Sequence, residues 1–359
     1  MNPTKMLHNV GQSIWLDNIT RELLNSGTLR RYIDEYSVTG LTSNPTIFDH
    51  AIKGSADYDS DIIGKNATRS EDLFFDLALD DITRAAELFR AIYNRTNGVD
   101  GWVSLEVSPL LANDAANTLA AAKDLHLRAN MPNLFIKIPG TAAGLPAIEE
   151  AIFAGIPVNV TLLFSCAQYI AAAEAYMRGI ERRVAAGLNP SVGSVASLFI
   201  SRWDVAVAGT VSADLANQLG VAVAGQAYAA YQEIISSPRF ERLVNEGAQA
   251  QRLLWASTGT KDPKASDILY VKALAAPFTV NTMPENTLKA FADHGQVAQP
   301  MARDGGDYKN IFAGFKNAGV DIDALAARLQ HEGAESFVAS WNDLIGCIDA
   351  KRASVTKVV

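Results

Sequence analysis

The stretch Leu134-Phe135-Ile136-Lys137-Ile138-Pro139-Gly140 holds one lysine inside an apolar run that a Pro-Gly turn closes. A short apolar run of this kind is typical of a buried parallel strand. Burial of the Lys137 side chain disfavours its charged form, and the neutral amine is a nucleophile near neutral pH. The alternative is that the long side chain reaches solvent at the strand end. The rest of the sequence helps to decide between a buried, nucleophilic Lys137 and one that reaches solvent.

The composition indicates a protein with a large core and no surface for nucleic acid. Of its 359 residues, 48% are hydrophobic and 19% are charged. The net charge is −8 and the basic residues are scattered, which argues against nucleic-acid or anionic-membrane binding. A phosphorylated substrate needs only one or two local cations. The chain shows no secretory pattern and no membrane-length apolar run, so we expect a soluble, cytoplasmic protein.

The cysteines and histidines give no sign of a metal site or a disulfide framework. Cys166 and Cys347 lie far apart among apolar or small residues on predicted helices, so we expect small buried side chains in a reducing compartment. The five histidines show no metal-ligand spacing. The stretch Gly140-Thr141-Ala142-Ala143-Gly144 lacks the Lys-Ser/Thr of a P-loop, and we interpret it as a strand-to-helix turn with Thr141 as N-cap.

Eight short runs with apolar or alternating character predict β-strands, and helical patterns separate them. This count and alternation favour an α/β fold of the (β/α)8 TIM barrel type over an open sheet. The predicted strands are Ser13–Asn18, Val38–Thr42, Gly101–Pro109, Leu134–Gly140, Pro157–Phe164, Gly193–Ile200, Arg252–Ser257 and Pro277–Thr282.

Apolar residues at helical spacing predict helices between these strands and after the last one. Examples are Thr20–Tyr36, Ser70–Arg95 and Thr141–Ala154, and residues 285–359 are helical in pattern throughout. The apolar faces of this last segment need a barrel to cover. We therefore expect a single (β/α)8 barrel domain over residues 1–359, with 285–359 as a helical C-terminal extension packed on it. A separate C-terminal domain is the alternative.

Polar side chains stand near the C-terminal ends of the predicted strands, where barrels of this type carry their active sites. Each has an ordinary explanation as a helix cap, a turn residue, a surface ion pair or a β-former. Their coincidence at successive strand ends favours one shared site, in which carboxylates facing a lysine supply acid/base groups. These residues are Asp17, Asn44, Glu106, Lys137, Asn159, Thr161, Ser197 and Ser257.

Six motifs resemble those of the transaldolase family, and they occur in the family's order across most of residues 13–285. The length and the long C-terminal tail resemble the larger subfamily found in some bacteria. The motifs are Trp15-Leu16-Asp17, Val38-Thr39-Gly40-Leu41-Thr42-Ser43-Asn44-Pro45-Thr46-Ile47, Val103-Ser104-Leu105-Glu106-Val107, Phe135-Ile136-Lys137-Ile138-Pro139-Gly140-Thr141, Asn159-Val160-Thr161-Leu162-Leu163-Phe164-Ser165 and Ser197-Leu198-Phe199-Ile200-Ser201-Arg202.

The resemblance implies a class I, Schiff-base enzyme of the non-oxidative pentose phosphate pathway. Such enzymes move a dihydroxyacetone unit from sedoheptulose 7-phosphate to D-glyceraldehyde 3-phosphate, giving erythrose 4-phosphate and fructose 6-phosphate. By this resemblance Lys137 forms the imine with the C2 carbonyl, and the protonated imine accepts electrons when the C3–C4 bond breaks. Asp17 takes the C4 hydroxyl proton and returns it to the acceptor.

The remaining site residues receive roles from the same resemblance. Glu106 and Thr161 position the water that shuttles protons during imine formation. Asn44 and Asn159 hold the hydroxyls of the dihydroxyacetone unit, and Ser197 lines the same pocket. We predict no metal and no organic cofactor, because the imine does the work that a metal does in other aldolases. The expected partners are small-molecule sugar phosphates, with neither nucleic acid nor membrane, and the expected state is a monomer or homodimer.

The phosphate end departs from the commoner family pattern. Arg202 matches a phosphate-binding arginine, whereas the second arginine of the shorter enzymes is replaced by Gly259. We hypothesise that Lys261 supplies the second cation, with help from Ser257 and the backbone N–H groups of the glycine turn. The alternative is that Lys261 is a solvated loop residue.

Two other functions are compatible with parts of this sequence. One is a fructose 6-phosphate aldolase-like lyase that uses the same lysine and releases free dihydroxyacetone. The sequence does not easily separate it from a transferase, because the outcome depends on how the site protects the enamine from protonation. The other is a non-catalytic sugar-phosphate-binding barrel. Retention of Lys137, Asp17 and Glu106 argues against it.

Overall fold

The lysine-bearing strand is one of eight parallel strands that close into a barrel in the computed structural model of the chain. The structure describes residues 2–65, 69–297 and 299–356. Strands pair in chain order and the last pairs with the first, which confirms the predicted (β/α)8 TIM barrel. The strands are β1 (Ser13–Asp17), β2 (Val38–Thr42), β3 (Val103–Glu106), β4 (Leu134–Pro139), β5 (Val158–Leu163), β6 (Ser194–Phe199), β7 (Arg252–Ala256) and β8 (Val280–Met283).

Sixteen α-helices, counted within the described ranges, alternate with these strands and extend beyond them. They are α1 (Pro3–Asn9), α2 (Arg21–Asn25), α3 (Thr28–Tyr36), α4 (Pro45–Gly54), α5 (Asp59–Gly64), α6 (Ser70–Arg95), α7 (Ala115–Ala129), α8 (Leu145–Phe153), α9 (Cys166–Ala185), α10 (Ser201–Val207), α11 (Leu219–Ile235), α12 (Pro238–Asn245), α13 (Leu269–Ala273), α14 (Glu285–His294), α15 (Tyr308–Asn317) and α16 (Ile322–Thr356). The bounds of α6 are those predicted from its apolar spacing.

Several predicted elements begin, end or break at other positions than expected; β3, for example, is shorter than the predicted Gly101–Pro109. The helix predicted over Thr20–Tyr36 is divided into α2 and α3, because Gly27 has a φ of 74° in the left-handed region. The strand predicted from Pro277 begins only at Val280. Phe278 has a φ of 61°, which lies outside the β region and delays the strand.

The turn after β4 corrects the N-cap prediction for Thr141. Helix α8 has Gly144 as its N-cap, and Thr141 lies in the turn before it. The Thr141 hydroxyl accepts a hydrogen bond from the Gly144 N–H (3.0 Å) and donates one to the Ala112 carbonyl (2.7 Å). Thr141 therefore stabilises a strand-to-helix turn rather than capping the helix, since the helix begins later than its sequence pattern indicated.

Aromatic side chains fill the barrel one layer below the lysine. The Phe135 ring stacks on Trp102 with ring centroids 4.0 Å apart, and its centroid lies 6.1 Å from that of Trp15. A Cβ atom added at Gly40 would lie 2.6 Å from the Trp102 carbonyl oxygen and 2.7 Å from Trp15 Nε1, so glycine leaves room for this packing. The close packing gives the strand ends above it a rigid floor.

The strand register brings the predicted site residues to shared levels. Asp17 pairs with Thr42 between β1 and β2, while Lys137 on β4 lies opposite Glu106 on β3 and Asn159 on β5. Residues that pair across parallel strands sit at one height and point to the same side. The register thus places two carboxylates, an amide and the lysine at the mouth of the barrel.

The C-terminal helices that the structure describes lie against the rest of the fold. Helix α16 contacts α4, α5 and α6, and it reaches β5. Its buried side chains include Phe337, Trp341 and Leu344. The single domain over residues 1–359 stays a prediction.

Both cysteines lie on helices as free thiols. Cys166 is buried at the start of α9, and Cys347 is partly buried on α16. Across the described ranges, no helix combines the length and the apolar character that crossing a membrane requires.

Candidate active site

A cavity of about 250 Å³ opens at the C-terminal ends of the strands. Eight of the ten site residues predicted from the sequence line this cavity. The other two, Glu106 and Asn159, are buried beside it, at the register level of Lys137. The eight that line it are Asp17, Asn44, Lys137, Thr161, Ser197, Arg202, Ser257 and Lys261.

Lys137 is buried on β4 and does not extend to solvent. The residue is only 5% exposed. Its Nζ lies 3.0 Å from Glu106 Oε2 and donates a hydrogen bond to the Ser43 carbonyl oxygen at 3.1 Å. The lysine is therefore held inside the barrel by partners on β3 and on the loop after β2, with its amine at the cavity.

Glu106 is a buried carboxylate whose environment suits proton exchange. Burial raises the pKa of the Glu106 carboxyl, and the positive charge of Lys137 opposes that rise. The contact with Lys137 is an ion pair, and the Glu106 oxygens lack a hydrogen bond of good geometry among the described residues. The Thr161 hydroxyl is also buried without a hydrogen-bond partner in those ranges. Both groups thus keep hydrogen-bonding capacity for a ligand or water.

Asp17, at the end of β1, lines the same cavity as the lysine. The Thr42 hydroxyl donates a hydrogen bond to Asp17 Oδ1 at 2.7 Å, and Thr42 shares another of 2.7 Å with Thr282. Burial raises the pKa of Asp17, whereas the Thr42 hydrogen bond and the charges of Lys137 and Lys261 oppose the rise. The carboxyl is thus suited to gain and lose a proton.

Asn159 is held beneath the cavity by two serines. Ser197 donates its hydroxyl proton to Asn159 Oδ1 at 2.7 Å, and the Asn159 amide donates to Ser104 Oγ at 3.1 Å. Asn159 is fully buried and does not line the cavity, while Ser197 does. The predicted contact of Asn159 with substrate hydroxyls stays a prediction, and in this structure its hydrogen bonds orient Ser197.

Asn44 combines a structural role with a place at the cavity. Its side-chain oxygen accepts a hydrogen bond from the Ile47 N–H at 3.0 Å and caps α4, which Pro45 opens. This cap leaves the side-chain amide hydrogens available to a ligand.

Two cations line the cavity. Arg202, on α10, is partly buried, and burial lowers the pKa of its guanidinium. The charge of Glu332 opposes this lowering, but no carboxylate lies within ion-pair distance of Arg202 in the described part of the chain. Lys261 lines the same cavity, close to Ser257, whose hydroxyl shares a 2.8 Å hydrogen bond with that of Ser201. A cation left unpaired beside a cavity is suited to bind an anion.

Sequence reasoning missed several residues of this site. Thr42 and Ser43 precede Asn44 at the end of β2, so the strand-end position was an available signal. Ser336 and Phe337 also line the cavity, but they lie on α16, and no pattern in the sequence links that helix to the barrel mouth. Among the described residues, no group of three or more His, Cys, Asp and Glu side chains could hold a metal ion.

Known proteins share this chain's sequence over nearly its full length. The family model described as Transaldolase/Fructose-6-phosphate aldolase matches residues 14–348. The transaldolase of Saccharopolyspora erythraea is 43% identical over 348 residues, which cover 94% of each chain. The transaldolase of an Arthrobacter species is 43% identical over 99% of each chain, and "Transaldolase 2" of Nostoc punctiforme is 39% identical over 95% of each. With this coverage and the lysine–carboxylate site at the barrel mouth, the chain belongs to the transaldolase/fructose-6-phosphate aldolase family.

Proposed function

We propose that this enzyme is a transaldolase that moves a dihydroxyacetone unit from sedoheptulose 7-phosphate to D-glyceraldehyde 3-phosphate through an imine on Lys137. One observation carries the proposal: the buried Lys137 amine is 3.0 Å from Glu106 and opens into the cavity that Asp17 lines. Schiff-base transfer requires this combination, with an amine to bond the substrate and carboxylates to move protons.

Imine formation is assigned to Lys137 and its buried neighbours. The Lys137 ammonium and the C2 carbonyl give a protonated imine and one water. Along this path two protons move in turn from the nitrogen to the departing oxygen, and Glu106 relays them. The unpartnered hydroxyl of Thr161 is available to hold the water that takes part in the transfer.

Cleavage and transfer of the dihydroxyacetone unit are assigned to Asp17. As the C3–C4 bond breaks, its electron pair moves into the imine to give an enamine, and the Asp17 carboxylate takes the C4 hydroxyl proton. The remaining aldose leaves as an aldehyde. In the reverse sense, C3 of the enamine attacks the acceptor aldehyde, and Asp17 returns the proton to the new hydroxyl. The Thr42 hydrogen bond favours the ionised form of Asp17 that the first step requires.

The substrate phosphate is assigned to Arg202 and Lys261, which line the same cavity. A guanidinium forms two parallel hydrogen bonds to phosphate oxygens, and an ammonium adds a point charge. Arg202 lies at the start of α10, after β6, and Lys261 lies in the loop after β7, whereas Lys137 is on β4, so a sugar phosphate bonded to Lys137 can extend to them across the cavity. The pathway, the cytoplasmic setting and a monomeric or dimeric state stay predictions.

Borohydride trapping tests the imine. Reduction in the presence of fructose 6-phosphate should fix a three-carbon adduct on Lys137, which peptide mass mapping locates. The Lys137→Met variant should give no adduct, whereas Lys261→Met should still give one. An adduct on another lysine, or none in the unaltered chain, would refute the proposal.

The role of Lys261 has its own test. Replacement of Lys261 by Ala should raise KM for fructose 6-phosphate by roughly tenfold, because a charge-assisted hydrogen bond to phosphate is lost. The KM for unphosphorylated fructose should change little. Replacement of Lys264, on the same loop but outside this cavity, by Ala is the matched control. An unchanged preference for the phosphorylated sugar in Lys261→Ala contradicts the assignment.

A further inference from the structure

We propose that Phe337, on the C-terminal helix α16, shields the enamine at Lys137 from water and so determines how much dihydroxyacetone is transferred rather than released. The inference rests on the proposed function, and it adds a residue that lies 200 positions from the lysine in sequence. It assigns to α16 a part in the chemistry as well as in the fold.

Phe337 lies directly over the reacting amine. The centroid of its ring is 5.4 Å from Lys137 Nζ, and the residue is only 6% exposed while lining the cavity. The ring extends a row of aromatic side chains, since its centroid is 6.5 Å from that of Phe199, which is itself 5.2 Å from that of Phe164. A ring face at this distance attracts a cation and provides an apolar wall.

A side chain of α16 ties the helix to the ends of two barrel strands. Gln330 Nε2 donates hydrogen bonds to the carbonyl oxygen of Leu162 (2.9 Å) and to that of Gly140 (3.2 Å). Leu162 has a φ of 60°, and the register of β5 shifts at this point. Leu162 follows Thr161 directly, and Gly140 follows the last residue of β4, so Gln330 binds at the C-terminal ends of the strands that carry Thr161 and Lys137.

Close packing and a second hydrogen bond fix the same helix. A Cβ atom on Gly333 would lie 3.2 Å from Leu162 Cδ2, so the glycine lets α16 approach β5 closely. The hydroxyls of Ser340 and Thr46 are joined by a 2.8 Å hydrogen bond on the far side of Phe337. Phe337 is therefore held from both directions along the helix, as a fixed wall of the cavity.

The position of this wall matters because the enamine has two fates. Its C3 atom attacks the acceptor aldehyde, which gives transfer. Alternatively, C3 takes a proton from solvent, and one water adds to C2 of the resulting imine, restoring Lys137 and releasing dihydroxyacetone. Both steps of release consume groups supplied by water, so an apolar ring over Lys137 disfavours them. The same ring stabilises the positive imine that forms before cleavage.

The test compares release with transfer in two variants. Phe337→Ala removes the ring, and the milder Phe337→Leu keeps an apolar side chain if the alanine variant folds poorly. Release is the rate at which free dihydroxyacetone forms from fructose 6-phosphate alone. Transfer is the rate measured with erythrose 4-phosphate as acceptor, and the first rate is divided by the second. We expect this ratio to rise by about tenfold in Phe337→Ala and less in Phe337→Leu. Leu344→Ala is the matched control, because Leu344 is buried on the same helix without lining the cavity.

Borohydride trapping separates a failure of the inference from a failure of the proposed function. If Lys137 is trapped in all variants and the release-to-transfer ratio of the Phe337 variants equals that of the unaltered chain, the inference is overturned. An equal rise in Leu344→Ala also overturns it, since the effect would then belong to helix stability. If the unaltered chain gives no adduct on Lys137, the proposed function fails instead.

Discussion

Asp17 has to remain ionised in surroundings that favour its neutral form. Burial raises the pKa of its carboxyl, and three neighbours oppose the rise: the hydroxyl of Thr42 and the charges of Lys137 and Lys261. The hydrogen bond from Thr42 is the one neutral contribution among them, and it is short, at 2.7 Å. Thr42 can therefore be changed without altering the charge of the site.

The Thr42→Val variant tests how much this hydrogen bond opposes the rise in the pKa of Asp17. Loss of the hydroxyl removes a hydrogen bond to the charged form, so the pKa of Asp17 should rise further. Since Asp17 must be ionised to take the C4 proton, the acidic limb of kcat/KM should move to higher pH. Activity in mildly acidic buffer should fall by roughly tenfold, with much less loss in alkaline buffer. The measurement is a pH profile of kcat/KM.

Thr39→Val supplies the matched control for this profile. Thr39 lies at the other end of the same strand, and its hydroxyl donates to the Ile14 carbonyl, away from the cavity. The acidic limb of the Thr39→Val profile should coincide with that of the unaltered chain. A profile for Thr42→Val that is lowered equally at every pH would show that Thr42 acts on packing and not on Asp17.

At the scale of elements, strands were easier to predict from sequence than their surroundings. A buried strand carries its signal locally, and closure of the barrel then brings the C-terminal ends together, so Asp17 and Lys137 could be assigned to one site. The position of α16 has no such local signal. Phe337 reaches the cavity through packing and hydrogen bonds between distant segments, and the period of the helix does not encode these contacts.

The floor of the barrel gives an element-scale prediction about stability. In Gly40→Ala the added Cβ would lie 2.6 Å from the Trp102 carbonyl oxygen, so β2 or its neighbours must shift. We expect the free energy of unfolding to fall by about 1–3 kcal/mol, the usual cost of overpacking a tight core. Urea unfolding followed by tryptophan fluorescence measures it.

An exposed glycine on α16 provides the contrasting control. A Cβ on Gly346 would meet nothing within 4 Å, so Gly346→Ala should stabilise the helix by roughly 0.5–1 kcal/mol. If Gly40→Ala lowers the free energy of unfolding while Gly346→Ala raises it, the loss at Gly40 is caused by steric overlap of the added Cβ. An unchanged free energy of unfolding in Gly40→Ala would mean that the aromatic layer of the barrel can shift without loss of stability.

At the scale of the whole molecule, the site places three ionisable side chains close together inside the fold. Asp17, Glu106 and Lys137 carry two negative charges and one positive charge at one barrel mouth. The Lys137 charge lowers the pKa of both carboxyls, while Asp17 raises that of Glu106. Without the lysine, two carboxylates would face each other with little solvent to separate them. Lys137 should therefore support the stability of the fold as well as its chemistry.

The Lys137→Met variant makes this last expectation measurable. At neutral pH it should lose about 3 kcal/mol of unfolding free energy, the typical cost of breaking a buried ion pair. A carboxyl whose pKa is raised by folding adds stability below its unfolded pKa and loses it as pH rises through the folded pKa. Because the variant raises both carboxyl pKa values further, its deficit should be largest at neutral pH and should shrink on acidification. Adding Glu106→Gln should recover part of the loss, whereas Lys289→Met, which breaks the more exposed pair with Glu285, should cost under about 1 kcal/mol. A deficit for Lys137→Met that does not change with pH would assign the loss to packing.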